Sequence, residues 1–320
     1  MTRIYLSLIV IVSICAATFA FSADSNPENI KSSMAVNSAD PTASTIPSSA
    51  SASAPIPLEK QSSKHVTATA TTLKKSSVVS PAPPSPVSET SSHSIIEPAT
   101  GMEFLPIPAG CFLMGDNNGD SDEKPEHKVC LDAFYIGKYE VTQKQWLHLT
   151  GKRPSFFSSC GDNCPVESVS WNDAQEFVHK LNNLNGGTYR LATEAEWEYA
   201  CRSGGKTERF CGGDDVNATA WYDKNSSSQP HPAGEKRSNG LGIHDMSGNV
   251  WEWVSDLYDK DYYSKSSAHN PEGALFGSTR VIRGGSWYND ARNVRSSLRS
   301  SDEPDHRSIN LGFRLVYSAR

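Results

Sequence analysis

The hydrophobic residues of this chain are distributed very unevenly. Residues 4–19 form an apolar stretch behind Arg3, and residues 24 to about 100 are mostly Ser, Thr, Ala and Pro. The composition changes near Gly101, and all seven Trp residues follow that point. The pattern predicts a signal peptide over residues 1–20 and a disordered tether over residues 21–100, where apolar side chains are too few to offset the entropy of ordering. One domain is predicted over residues 101–320.

The N-terminal segment has the features of a cleaved export signal. Arg3 supplies the positive charge, and Thr18-Phe19-Ala20 offers a small-x-Ala cleavage site behind the apolar stretch. One alternative is a membrane anchor, although the stretch is at the short limit for a span. The other is lipidation of Cys15, which the bulky Ile14 disfavours. We expect a periplasmic or secreted protein with no membrane span after cleavage.

Three runs have the capping-box pattern, in which a Ser or Thr is followed three residues later by an acidic or amide side chain. They begin at Thr142, Ser170 and Thr193, and they predict helices over residues 143–149, 171–184 and 194–202. In the second helix the apolar positions 177, 178, 181 and 184 keep helical spacing.

The predicted strands are short: residues 104–107, 111–114, 129–131, 134–136, 280–283 and 313–317. Residues 204–242 are rich in Gly, Ser, Asn, Asp and Pro, which is typical of loop. Few helices, short strands and long loops predict an irregular α+β domain.

The charge of the chain argues against one class of function, nucleic-acid binding. The formal net charge is −6 and no Lys/Arg run occurs, so no nucleic-acid partner is expected.

The cysteine content favours disulfides. Six Cys remain after Cys15, and an even number of cysteines in an exported chain is typical of disulfide pairing. The entropic cost of closing a loop is smallest for short loops, and this favours the pairs Cys111–Cys130, Cys160–Cys164 and Cys201–Cys211. The other ways of pairing six cysteines stay open. The alternative for Cys160 and Cys164 is half of a metal site, but no second close Cys or His couple completes it.

Four motifs occur in a fixed order along the domain: Arg190-Leu191-Ala192-Thr193-Glu194-Ala195-Glu196-Trp197, Gly248-Asn249-Val250-Trp251-Glu252-Trp253, Arg283-Gly284-Gly285-Ser286-Trp287 and Asn310-Leu311-Gly312-Phe313-Arg314. Together they resemble the formylglycine-generating-enzyme (sulfatase-modifying factor) domain family. The resemblance extends from about residue 102 to residue 317. It implies an irregular, C-type-lectin-like fold with little regular secondary structure.

The resemblance also implies a structural calcium site. The ligands would be the side chains of Asp245 and Glu252 and the carbonyls of Gly248 and Val250, an oxygen set that suits a hard cation. The alternative is a tight turn in which Glu252 forms a salt bridge to a nearby Arg.

Members of the family that generate formylglycine use two cysteines shortly after the Gly-Gly-Ser motif, and these cysteines bind copper. Residues 284–296 contain no Cys, and no Cys follows Cys211, so no copper-thiolate site is expected. The candidate pocket residues that remain there are polar: Ser286, Tyr288, Asn289 and Arg295. They indicate a groove for a peptide or an anion, with Arg295 and Arg299 as donors. The alternative is that these arginines pair with buried acids and stabilise the core.

The sequence therefore predicts an exported family member that binds a protein or peptide partner and carries a structural calcium. Whether it is an enzyme is left open, because the family is of the oxidoreductase type and its catalytic cysteines are absent. The alternative function is a periplasmic oxidase or protein-modification factor that uses a metal or a carboxylate. The candidate residues for that chemistry are His127, His244, Asp256 and His306.

Overall fold

The computed structural model describes residues 93–318. The predicted signal peptide and residues 21–92 of the predicted tether lie outside the described residues. Eleven strands are described there: β1 Ile95–Ile96, β2 Glu103–Ile107, β3 Gly110–Met114, β4 His127–Leu131, β5 Phe134–Gly137, β6 Tyr189–Leu191, β7 Trp251–Leu257, β8 Arg280–Arg283, β9 Arg299–Asp302, β10 Leu311–Phe313 and β11 Leu315–Tyr317. The α-helices are α1 Gln143–Thr150, α2 Trp171–Asn185, α3 Glu194–Cys201 and α4 Val216–Thr219.

The strands form three small sheets. The first is antiparallel, with the order β1-β2-β5-β11-β6. The second has the order β10-β7-β8-β9, with β10 parallel to β7 and the other pairs antiparallel. The third is the hairpin of β3 and β4. Strand β1 belongs to the first sheet, so ordered structure includes residues that the sequence analysis assigned to the end of the tether.

The three predicted capping boxes begin the three longer helices. The hydroxyls of Thr142, Ser170 and Thr193 accept hydrogen bonds from the backbone N–H three residues on, at 3.3, 3.1 and 3.2 Å. In each case the side chain at that third position accepts from the backbone N–H of the cap in return. Since two orphan amides are satisfied locally, these helix starts depend little on the rest of the fold.

Two apolar clusters of buried residues make up most of the core. In the first, the rings of Trp146 and Phe177 stack at 5.3 Å with an interplanar angle of 10°. Phe313 meets Phe177 edge-on at 5.6 Å. These rings join α1 and α2 to strand β10. No helix within residues 93–318 has the length and apolar content that crossing a membrane requires.

The cysteines pair as the sequence analysis favoured: Cys111–Cys130, Cys160–Cys164 and Cys201–Cys211. Cys111 and Cys130 lie directly opposite each other in the hairpin of β3 and β4. The disulfide of Cys160 and Cys164 closes a short loop before α2. The prediction of disulfides is therefore confirmed.

Candidate functional site

Strand β8 ends in a tight turn that is possible only with glycine. Gly284 and Gly285 have φ values of +92° and +71°, in the left-handed region. A Cβ on Gly285 would lie 2.3 Å from the carbonyl oxygen of Asn293. The two glycines therefore let the backbone pass close to the following loop.

The turn places Ser286 in the interior, where its hydroxyl joins two segments. The Oγ donates to Asn289 Oδ1 at 2.7 Å and accepts from Asn310 Nδ2 at 3.0 Å. Ser308 Oγ donates to Asn310 Oδ1 at 2.6 Å. The structure thus brings together two predicted pocket residues, Ser286 and Asn289. It adds Asn310, which the sequence analysis used only as part of a motif.

Four aromatic side chains form a continuous row beside this turn: Phe156, Phe157, Trp287 and Tyr288. Neighbouring ring centroids are 5.1, 5.4 and 5.6 Å apart, and each pair meets edge-to-face. The two ends of the row are open to solvent, with Phe156 64% exposed and Tyr288 49% exposed. The sequence analysis identified Tyr288 but missed the two phenylalanines, because they come from a loop about 130 residues earlier.

The loop that carries the phenylalanines is held by Glu167. The carboxylate accepts from the Phe157 N–H at 2.9 Å and from the Ser168 hydroxyl at 2.6 Å. Gln143 Nε2 donates to the Phe157 carbonyl at 3.2 Å. Burial raises the pKa of the Glu167 carboxyl. Polar contacts from Glu167 and Gln143 therefore hold the backbone at Phe157, one of the two inner rings of the aromatic row.

Arg295 is engaged within the fold. Its guanidinium donates two hydrogen bonds to the buried carboxylate of Glu123, at 2.6 and 2.8 Å. Burial works to raise the pKa of Glu123, and the hydrogen bonds from Arg295 and Ser297 outweigh it and lower that pKa. The geometry favours a structural role for this arginine over an anion-binding one.

Three further arginines have the same kind of role. Arg299 binds Glu194 at 2.7 and 2.8 Å, and Arg283 binds Glu198 at 2.5 Å. Arg314 binds both oxygens of Glu252 at 2.7 to 2.9 Å. These pairs correspond to the alternative in the sequence analysis, in which arginines pair with buried acids.

The predicted calcium loop is compact and buried. Asp245 and Gly248 have φ values of +59° and +79°, and a Cβ on Gly248 would lie 2.1 Å from the Trp221 carbonyl oxygen. Glu252 accepts from Arg314 and also from Trp197 Nε1 at 2.7 Å. Asp245 Oδ2 accepts from the Gly234 N–H at 2.7 Å, whereas Asp245 Oδ1 is buried and has no hydrogen-bond partner among the residues that the structure describes.

A third carboxyl group, that of Glu140, lies beside Asp245 and Glu252. It accepts from Asn249 Nδ2 at 2.7 Å and from the Val250 N–H at 3.2 Å. Burial raises the pKa of Asp245 to about 6. Burial and then the charges of Asp245 and Glu252 raise the pKa of Glu140 well above its usual range.

The cluster therefore contains three buried carboxyl groups and one guanidinium, that of Arg314, and within residues 93–318 Asp245 Oδ1 has no hydrogen-bond partner. This donor chemistry fits a hard cation. Within residues 93–318, no group of three His, Cys, Asp or Glu side chains is arranged to hold a metal ion. A cation here would depend on backbone carbonyls such as those of Gly248 and Val250.

The four candidate residues for metal or carboxylate chemistry have separate sets of partners. His127 packs on Tyr263 at 4.8 Å, and His244 Nδ1 lies 2.9 Å from the Lys236 carbonyl oxygen. His306 lies at the surface, 3.4 Å from Asp302. Asp256 is buried, accepts from the Glu194 N–H at 2.8 Å, and has a pKa that burial raises to about 7.

Comparison with known proteins decides the family. The model of the sulfatase-modifying factor enzyme 1-like domain matches residues 93–319. The chain belongs to this family. The formylglycine-generating enzyme of Streptomyces coelicolor is 30% identical over 308 residues, which cover 74% of this chain and 96% of that enzyme. The chaperone protein LppX of Paenibacillus barcinonensis is 31% identical over 245 residues, which cover 60% of this chain and 83% of LppX.

Two solved structures have the same fold as this chain. Treponema denticola variable protein 1 superposes with a TM-score of 0.65 at 29% identity, covering 70% of this chain and 98% of that one. PvdO from Pseudomonas aeruginosa superposes with a TM-score of 0.64 at 26% identity, covering 72% of this chain and all of that one. The predicted family and the predicted C-type-lectin-like α+β fold are confirmed.

Proposed function

We propose that this chain is an exported member of the family that binds a protein or peptide partner and does not perform cysteine-dependent oxidation. The aromatic row carries the proposal, because it places an exposed ring at each end of a row of four rings beside the Gly-Gly-Ser turn. Aromatic side chains offer large apolar area with little rotamer entropy to lose, and they are enriched at binding hot spots.

The state of the cysteines supports binding over oxidation. All six cysteines of residues 93–318 are in disulfides. Thiolate chemistry and copper-thiolate ligation both require a free thiol. The segment after the Gly-Gly-Ser turn supplies none, since residues 284–296 contain no Cys.

The similarity to the chaperone protein LppX supports the proposal that the partner is a protein. A chaperone acts on other polypeptides, and LppX shares 31% identity with this chain. An aromatic strip suits an extended peptide, whose apolar side chains can cover the rings while its backbone meets polar neighbours such as Asn289.

The proposal includes export and a structural calcium. Export rests on the signal-peptide pattern of residues 1–20, and mass analysis of the mature protein would show whether residues 1–20 are removed. Calcium would be held by Asp245, Glu252 and the carbonyls of Gly248 and Val250. It would supply positive charge to a cluster in which carboxyl groups outnumber guanidiniums, and so stabilise the loop beside the Gly-Gly-Ser turn.

Peptide selection on the immobilised domain tests the binding proposal. A library of random displayed peptides is selected on residues 93–320, and the enriched peptides are measured by calorimetry. The double variant Phe156→Ser with Tyr288→Ala should weaken the binding of these peptides by at least about thirtyfold, which is the loss of one hot-spot side chain of about 2 kcal/mol. Leu184→Ser is the matched control, because Leu184 is 63% exposed at the end of α2.

Two outcomes would contradict the proposal. Enriched peptides that bind the double variant as tightly as the wild type would show that the aromatic row is not the binding surface. Oxygen consumption with a cysteine-containing peptide would show that the domain is an oxidase in spite of its paired cysteines.

A further inference from the structure

A proline-rich segment lies shortly before the first described residue. Residues 81–86 read Pro-Ala-Pro-Pro-Ser-Pro, and no other six consecutive residues of the chain contain four prolines. Residues 76–88 carry no charge. Sequences of this kind favour the polyproline II conformation, an extended helix without internal hydrogen bonds. Because that conformation is largely preformed, such segments lose little entropy when they bind.

The aromatic row offers the kind of surface on which proline-rich segments dock. Its successive rings meet at interplanar angles of 83°, 83° and 81°, so that the face of one ring adjoins the edge of the next. Trp287 is buried, and the surface open to a ligand is that of Phe156, Phe157 and Tyr288. The exposed Tyr288 side chain also carries a hydroxyl that can donate to a backbone carbonyl. Aromatic-lined sites of this type recognise polyproline II segments, whose carbonyls are free to accept.

Contacts within the fold connect the start of the domain to the aromatic row in a few steps. The Glu97 N–H donates to the Met102 carbonyl at 2.8 Å. Met102 and Gln145 line the same small cavity. Gln143, two residues before Gln145 in α1, donates to the Phe157 carbonyl at 3.2 Å. The chain therefore enters the domain within a few side-chain lengths of the row.

The proline-rich segment is near enough along the chain to reach the row. Pro86 and Pro81 precede residue 93, the first described, by 7 and 12 positions. At about 3.3 Å per extended residue, these intervals span about 20–40 Å. The radius of gyration expected for a domain of this length is about 17 Å. A tether this short gives an effective concentration on the order of 1 mM, so that even a weak contact would be well populated.

We propose that the aromatic row binds proline-rich extended segments, and that residues 81–86 of the same chain occupy it when no partner is bound. The inference rests on the proposed function, because it concerns the same surface. It adds the class of ligand and a means of regulating access to the row. A partner has to displace residues 81–86, so only a segment that binds more tightly than they do gains the site.

Two fourfold variants of the chain without its predicted signal peptide, residues 21–320, test the docking of the segment. The 81–86 variant replaces the four prolines of the segment by Ser. The 41–57 variant is the matched control and replaces four prolines farther from the domain, Pro41, Pro47, Pro55 and Pro57. The indole N–H resonance of Trp287, identified by its loss in Trp287→Phe, should shift in the 81–86 variant alone, because Trp287 meets Phe157 and Tyr288 edge-on. Dilution should leave this difference unchanged, since the segment belongs to the same chain.

A synthetic peptide of residues 78–89 measures the affinity by calorimetry. It should bind the 81–86 variant about threefold more tightly than the 41–57 variant, as expected if the tethered segment occupies about two thirds of the molecules. The same peptide with its four prolines replaced by Ala should bind at least about tenfold more weakly, because it is less preorganised. Phe156→Ser with Tyr288→Ala, added to the 81–86 variant, should abolish binding. Leu184→Ser, at an exposed position of α2, should leave it unchanged.

The proposal is overturned if the folded 81–86 variant shows no saturable binding of the peptide, or if the alanine peptide binds as tightly. It is also overturned if the 81–86 and 41–57 variants have the same Trp287 resonance and the same affinity for the peptide. A difference that disappears on dilution would show that a second copy supplies the segment, which contradicts docking within one chain. If randomly selected peptides bind at Phe156 and Tyr288 while residues 78–89 do not, the proposed function stands and this inference alone fails.

Discussion

Arg295 and Glu123 are 172 positions apart in the chain, and they form an ion pair with two hydrogen bonds in the interior. The Glu123 side chain is fully buried and that of Arg295 is 11% exposed. The pair ties the loop after β8 to the loop after β3. Because the Glu123 side chain is fully buried, its negative charge is stabilised chiefly by Arg295, with further hydrogen bonds from Ser297 and the Asp120 N–H.

Removal of the arginine should therefore be costly. We expect Arg295→Met to lower the free energy of unfolding by about 3–5 kcal/mol, since it leaves a buried carboxylate without the arginine that pairs with it. Urea unfolding measures the change. Arg292→Met is the control and should change stability by less than about 1 kcal/mol, because Arg292 is 72% exposed. Equal effects of the two substitutions would show that the buried ion pair contributes no more to the free energy of unfolding than the exposed arginine does.

The buried carboxyl of Asp256 should make stability depend on pH. Burial raises its pKa to about 7, so the folded state holds a proton that the unfolded chain releases at lower pH. Its contribution is complete below the unfolded pKa and is lost as pH rises from about 4 to about 7, with a slope of at most about 1.4 kcal/mol per pH unit. Asp256→Asn should flatten this part of the stability profile in urea titrations between about pH 4 and about pH 7. An unchanged profile would mean that Asp256 titrates normally.

The disulfides should differ in their contribution to stability. In the chain-entropy model, the 19-residue separation of Cys111 and Cys130 restrains the unfolded chain more than the 4-residue separation of Cys160 and Cys164. Replacement of the first pair by Ala should cost about 1.4 kcal/mol more than replacement of the second. Thermal and urea unfolding of the two double variants make the comparison. The reverse order would show that local contacts outweigh the entropy of the unfolded chain.

The calcium proposal has a direct thermal test. At about one hundred times its dissociation constant, calcium should add about 2.7 kcal/mol and raise Tm by roughly 5–10 °C relative to protein in chelator. Asp245→Ala should abolish the response, whereas Glu303→Ala, an exposed acid outside the loop, should keep it. A wild-type Tm that chelation leaves unchanged would remove the calcium site.

The elements that the sequence predicted well are those that local chemistry decides. Thr142, Ser170 and Thr193 begin helices because each cap satisfies its own amides within four residues. Strand β7 was missed, because Glu252 and Asp256 interrupt its apolar pattern. Those charges are buried only because partners such as Arg314 arrive from distant parts of the chain.

The candidate site was predictable in part for the same reason. Ser286 and Asn289 meet through a turn of four residues, so a motif could place them together. Phe156 and Phe157 join Trp287 only through the tertiary fold, and Glu167 holds their loop in position. The contact between Phe157 and Trp287 therefore cannot be predicted from the spacing of residues in a single sequence.

The position of β11 in the first sheet has a consequence for how the molecule is made. Leu315–Tyr317 pairs with β5 on one side and β6 on the other, and Val316 lies opposite both Ile136 and Arg190. Because β5 and β6 are synthesised well before β11, a nascent polypeptide cannot complete this sheet until residues 315–317 have left the ribosome. Until then β5 and β6 each have an unpaired strand edge, and such edges promote aggregation.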